Sequence, residues 1–141
     1  MNAGQAADVR CVVVVDHGLA PGLAANAVGV LALTLGARLP GLVGPDLIDA
    51  DGGQHPGLIA QGLPVLAAPG EALPALRARA AGMGLGVIGL PSAAQETTDY
   101  GAFRDRVAEL TGDELAFLGL LVYGPRRAVS KVTGRLSLLG S

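Results

Sequence analysis

Aromatic side chains are nearly missing from this chain: two Tyr, two Phe and no Trp make up 3% of its 141 residues. Its core must therefore be built from Val, Leu, Ile and Ala, which suits a buried sheet covered by Ala- and Leu-rich helices. Cysteine is limited to Cys11, which heads an apolar run. A disulfide framework or a thiolate metal cluster within one chain is thereby excluded, and Cys11 itself reads as a small core residue rather than a nucleophile. Charge is scarce as well, at 16% of residues with a formal net charge of −2. That balance gives the chain no general electrostatic affinity for nucleic acid.

Long hydrophobic runs are also short of what a membrane requires. The longest, Leu23 to Ala37, is interrupted by Asn26 and Thr34, and a spanning helix needs about 20 apolar residues. Met1 to Asp8 is small and polar, without a basic segment followed by an apolar one, so no secretory signal is expected. These absences lead us to expect a cytoplasmic protein without a membrane partner.

Against those absences stands a chain that is half hydrophobic, with a mean hydropathy of +0.49. The length suits one domain, expected over 1–141 with 1–8 as a loose tail. So apolar a chain with so few charges also points to surface buried in an oligomer, and a homodimer is expected.

Cys11-Val-Val-Val-Val15 is a continuous β-branched run, the pattern of a strand buried on both faces. Asp16-His17-Gly18 ends it, and Pro21 suits the first turn of the next helix. Gly22 to Leu35 is apolar on nearly every side, with Gly36 as a stop. Residues 38–57 are rich in Gly and Pro, with short strands expected at Gly41–Val43 and Leu47–Ile48. Leu63–Ala67 reads as a strand that Pro64 directs to an edge position, and a helix follows at about 70–82. Leu85–Leu90 is a further buried strand. The spacing of Phe103, Val107 and Leu110 predicts a helix over Tyr100–Leu110. Leu115–Tyr123 is the last long strand, Gly124-Pro125 opens a helix to about Val132, and Leu136–Leu139 closes the chain. The alternation predicts a three-layer α/β domain: roughly four strands in a mainly parallel or mixed sheet, with helices on both faces.

Two stretches resemble type-II peptidyl-tRNA hydrolases. One is strand, Gly-containing loop and Leu23-Ala24-Ala25-Asn26, where that family shows Ile-Ala-Ala-Gln. The other is Gly124-Pro125 followed by Lys131-Val132-Thr133-Gly134-Arg135-Leu136. The resemblance implies that family's fold. It does not carry the family's chemistry across, because Ala20 and Gly22 stand where the loop lysines belong. Likewise Ser92-Ala93-Ala94-Gln95-Glu96 replaces an Asp-Ala-Gly-Arg-Thr segment. Over nearly the full length the chain is more similar to an uncharacterised bacterial group of this fold, the domain-of-unknown-function family numbered two thousand. That likeness rests on the strand ending in Asp16, Pro21 to Ala27, Gly44-Pro45, Asp49 to Gly52 with His55-Pro56-Gly57, and Tyr123-Gly124-Pro125. It implies a fold and no reaction.

Ligands of open α/β sheets bind beyond the carboxyl ends of strands, where Asp16 and His17 fall. They form a candidate acid/base pair; a turn capped by Asp16 explains the same residues. Asn26, read as a buried amide, would either clamp the Asp16 loop or meet a ligand. Gly22 lies where the loop enters the helix, at an N-terminus able to face an anion. Gln95 and Thr98 follow a buried strand and are candidate cleft residues, although Thr98 or Asp99 can instead cap the next helix. Asp49, Asp51 and His55 could hold a divalent metal. A Gly-rich turn using Asp for local hydrogen bonds accounts for them equally. Arg126, Arg127, Lys131 and Arg135 form a basic patch that reads as a solvated face. No cofactor is expected. Three roles follow: binding a small molecule or nucleotide derivative, hydrolysis or transfer on acyl or peptidyl esters, and an interaction module acting as a homodimer. A cleft in which titratable groups converge points to the enzyme, one without them to binding.

Overall fold

The computed structural model describes residues 8–141, so all of the expected tail except Asp8 lies outside the described residues. In chain order the elements are β1 (Val9–Asp16), α1 (Pro21–Arg38), β2 (Leu47–Ile48), β3 (Gln54–His55), β4 (Val65–Ala68), α2 (Leu73–Gly82), β5 (Gly86–Pro91), α3 (Tyr100–Ala108), β6 (Phe117–Pro125), α4 (Arg126–Thr133) and β7 (Ser137–Leu138). Five strands form one sheet in the order β5-β6-β1-β4-β7, and β2 and β3 pair separately as a hairpin.

β1 lies at the centre because nothing else in the chain is so continuously apolar. Cys11 through Val15 are at most 1% exposed. Strand alternation divides them between two cores. Val12 and Val14 pack with Leu120 and Val122 of β6 beneath Leu73 and Ala80 of α2 and Val129 and Val132 of α4. Cys11, Val13 and Val15 pack with Leu121 beneath Ala27, Leu31 and Leu35 of α1. Each fully buried Val or Leu is worth about 1.5–3 kcal/mol relative to exposure, so these two clusters make the three-layer domain that the alternation of elements predicts.

The sheet is mixed. β1 runs parallel to β4, whereas β1–β6, β5–β6 and β4–β7 are antiparallel. A run buried on both faces encodes burial, not direction, so the parallel bias expected from alternating elements was a topological guess. The fifth strand, β7, spans two residues and was foreseen only as a closing apolar segment. It covers the outer side of β4 at Leu66 and Ala67, so β4 lies between β1 and β7 and is not the edge strand that Pro64 suggested; Pro64 itself falls just before β4. Gly41–Val43 is not a strand. Pro40–Leu42 is a turn of 3-10 helix, with only Val43 bridging to Ile59.

Cys11 is buried, and loss of solvation pushes its thiol above the usual range. Both observations fit a core residue.

Candidate functional site

β1 and β4 run parallel, so their carboxyl ends, Asp16 and Ala68, lie side by side. The backbone N–H of His17 donates to the Ala68 carbonyl at 2.9 Å, and Leu19 N–H donates to the Asp16 carbonyl at 3.1 Å. These bonds turn the chain sharply into α1, whose first residue is Pro21 and which has no side-chain cap.

The same alternation that sorts the valines separates Asp16 from His17. Asp16 follows Val12 and Val14 toward the α2 side, where its carboxylate lies against Gly70 and accepts the Gly18 N–H at 2.8 Å. His17 goes the other way, toward α1. It lines a groove of about 900 Å³ between the first half of α1, strand β4 and the last residues of the chain. The candidate acid/base pair is therefore not brought together, and Asp16 acts as the turn-forming residue that its position also allowed.

Apolar side chains form the groove's walls: Pro21, Ala24 and Val28 from α1, Val65 and Ala67 from β4, and Leu138 and Leu139 beyond. Pairing of β7 with β4 sets the far wall, and Leu139 N–H donates to the Val65 carbonyl at 2.9 Å. Among the described residues, the polar side chains on the lining are those of Ser137, Ser141 and His17, and His17 is the one titratable side chain there. Ser141 is tied back through its hydroxyl to the Leu138 carbonyl at 2.7 Å.

The other sequence-derived candidates fall elsewhere. Asn26 is exposed, not buried: Ala24, Ala27, Leu31 and Leu35 form the inner face of α1, and position 26 lies about 145° around from it at 100° per residue. Gly22 is also exposed, although its neighbours Pro21 and Ala24 reach the groove. Gln95 closes a 3-10 turn after β5, two strands from β1 across β6. Thr98 is exposed. The helix cap falls to Asp99, whose Oδ1 accepts Ala102 N–H at 2.8 Å.

The Asp49 cluster is a turn. Oδ1 of Asp49 accepts the N–H groups of Asp51 and Gly53, both at 2.9 Å, and Oδ2 lies 2.8 Å from His55 Nε2. The His55 contact, with the Gly53 and Asp51 amides, holds the Asp49 carboxyl below its ordinary range. Asp51 contributes its backbone to this arrangement, and among the described residues no three His, Cys, Asp or Glu side chains converge to hold a metal ion. A metal site at Asp49, Asp51 and His55 is thus not assembled. Arg126, Arg127, Lys131 and Arg135 are all exposed, as a solvated face would be.

Sequence reasoning missed the groove walls. Val28, Val65, Leu138 and Leu139 look like ordinary core residues, and no local signal says that the fold leaves them uncovered.

With the geometry in place, the chain can be set beside known proteins. The sequence model of DUF2000, proteins of unknown function, matches residues 9–140. The chain belongs to this family. A solved structure of a protein of unknown function from Agrobacterium tumefaciens strain C58 superposes with a TM-score of 0.85 at 21% identity, over 93% of this chain and 97% of the other. At that identity the likeness shows a shared fold. No curated protein matches the chain significantly. Among the described residues of this DUF2000 chain, no helix is long and apolar enough to cross a membrane.

Proposed function

We propose that this protein binds a small, largely apolar molecule in the groove between α1, β4 and β7, with His17 at the ligand's polar end. The observation that carries the proposal is the lining itself: apolar walls around about 900 Å³ with, among the described residues, a single titratable side chain, the make-up of a binding pocket. The uncapped amino end of α1, which has no acidic residue in its first turn, adds a favourable setting for a negative group. Together these favour a carboxylate with an aliphatic or aromatic tail over a nucleotide derivative. Hydrolysis of acyl or peptidyl esters finds less support, because among the described residues His17 has no second titratable side chain beside it on the groove and Asp16 faces the other side of the sheet.

Amide chemical-shift mapping with octanoate, octanol and adenosine monophosphate tests this. Octanoate should shift the amides of residues 17–28, 65–67 and 137–141, more strongly than octanol, and the nucleotide should not. Ala25→Phe, at an exposed groove position, should weaken octanoate binding at least tenfold with the fold intact. Shifts elsewhere, or none with any of the three, would dismiss the proposal.

A further inference from the structure

Among the described residues, nothing covers the outer face of α1. This helix holds one charged residue, Arg38, among its 18, and its surface away from the sheet displays Leu23 at 47%, Val30 at 42% and Leu33 at 79% exposure. Asn26 is the one polar side chain in the middle of that surface, with Gly22, Gly29 and Gly36 around it. The apolar exposure continues along the chain beyond the helix. Among the described residues, seven of eleven exposed large apolar side chains fall between positions 23 and 58, Leu47 and Ile48 of the hairpin included.

We infer that this face docks a second copy of the same chain through α1 against α1. A face that meets its own image must avoid placing like charges opposite one another, and from Pro21 to Pro45 Arg38 is the single charged residue. Asn26 suits the same geometry. Its amide both donates and accepts, so two copies can satisfy each other, as a lone Asn does in a helical seam where it sets register at some cost in stability. Gly22, Gly29, Leu33 and Gly36 share its side of the helix at alternating steps of four and three residues, and the glycines let two backbones approach closely. An 18-residue helix is about 27 Å long. Two such faces would bury on the order of 1,000 Å² in total, the lower bound of a specific interface. A lipid surface is the poorer occupant, because interfacial helices carry a basic polar face and α1 has none.

Sedimentation equilibrium of the full chain reads this directly. The wild type should weigh twice its 14.0 kDa, and Leu33→Arg should raise the dimer dissociation constant at least a hundredfold. Tyr100→Arg, at a residue 74% exposed on α3, should leave it unchanged. Because Cys11 is buried, Asn26→Cys supplies a single accessible thiol. Mild oxidation should convert most of that variant to a disulfide-linked dimer, whereas Arg104→Cys should cross-link several times less. A wild type of 14.0 kDa at 100 μM or above would overturn the inference. So would a dimer that survives Leu33→Arg, equal cross-linking at both positions, or binding of the wild type to neutral vesicles that Leu33→Arg abolishes. The octanoate shifts of the groove are read separately, so loss of the dimer and failure of the ligand proposal are distinguishable.

Discussion

Asp16 and Gly70 are in such close contact that a β-carbon at position 70 would lie 2.5 Å from Asp16 Oδ2. The contact joins the end of β1 to the turn that leads from β4 into α2. It also explains why the carboxylate is not available to the groove, since its other oxygen is held by Gly18 N–H at 2.8 Å.

Gly70→Ala should therefore push the Asp16 carboxylate off its turn and destabilise the protein by about 0.5–1.5 kcal/mol, the hydrogen bond to Gly18 N–H being lost. Asp16→Ala should cost about 0.5–1.5 kcal/mol for the lost hydrogen bond. The double variant should be more stable than the sum of the two effects predicts, because the clash disappears with the carboxylate. Urea denaturation of all four proteins measures this coupling. Strict additivity would show that the two residues do not touch.

Leu31 and Leu33 stand two positions apart on α1 with 1% and 79% exposure. Leu31→Ala should lose about 2–5 kcal/mol through transfer and cavity effects. Leu33→Ala should stay within about 0.5 kcal/mol for the monomer. Thermal unfolding at low protein concentration checks the contrast.

Asp49 should act as the pin of the β2–β3 hairpin. Its carboxyl titrates below its ordinary value of 3.8 because the ionised form is bound by His55 and by the Gly53 and Asp51 amides. The sign follows: the ionised group's contribution is complete above the unfolded value and is lost as pH falls through the lower folded value. Protection of the Asp51 and Gly53 amides, relative to their intrinsic exchange rates, should be complete at pH 5 and be lost only as pH falls below the ordinary carboxyl value. In Asp49→Ala those amides should be unprotected at every pH, with the protection of β1 and β6 unchanged.

Asp99 caps α3 through Ala102 N–H. Asp99→Ala should cost about 0.5–2 kcal/mol and Asp99→Ser much less, measured by denaturation, and neither should change octanoate binding, because α3 lies away from the groove. Altered binding in either variant would place this helix in the ligand's path.

Several features were legible before any tertiary information. The valine run announced a central strand, and the spacing of Phe103 and Val107 announced α3. The likeness to the DUF2000 family was legible as well, and its sequence model matches residues 9–140. The separation of Asp16 from His17 was legible too: if Cys11, Val13 and Val15 point one way, position 17 follows them and position 16 does not. Treating the two as a pair overlooked that period. Asn26 was different. A helix apolar all round has no moment to say which side faces inward, so its exposure was hidden.

What the sequence alone determined was the kind and place of each main element, because burial and period are local properties of successive side chains. Strand direction, the short strand at Ser137–Leu138, and the open space between Val28, Val65 and Leu139 were decided by tertiary structure. They depend on which distant surfaces meet, and an apolar residue carries the same local signature whether another element covers it or leaves it facing a groove.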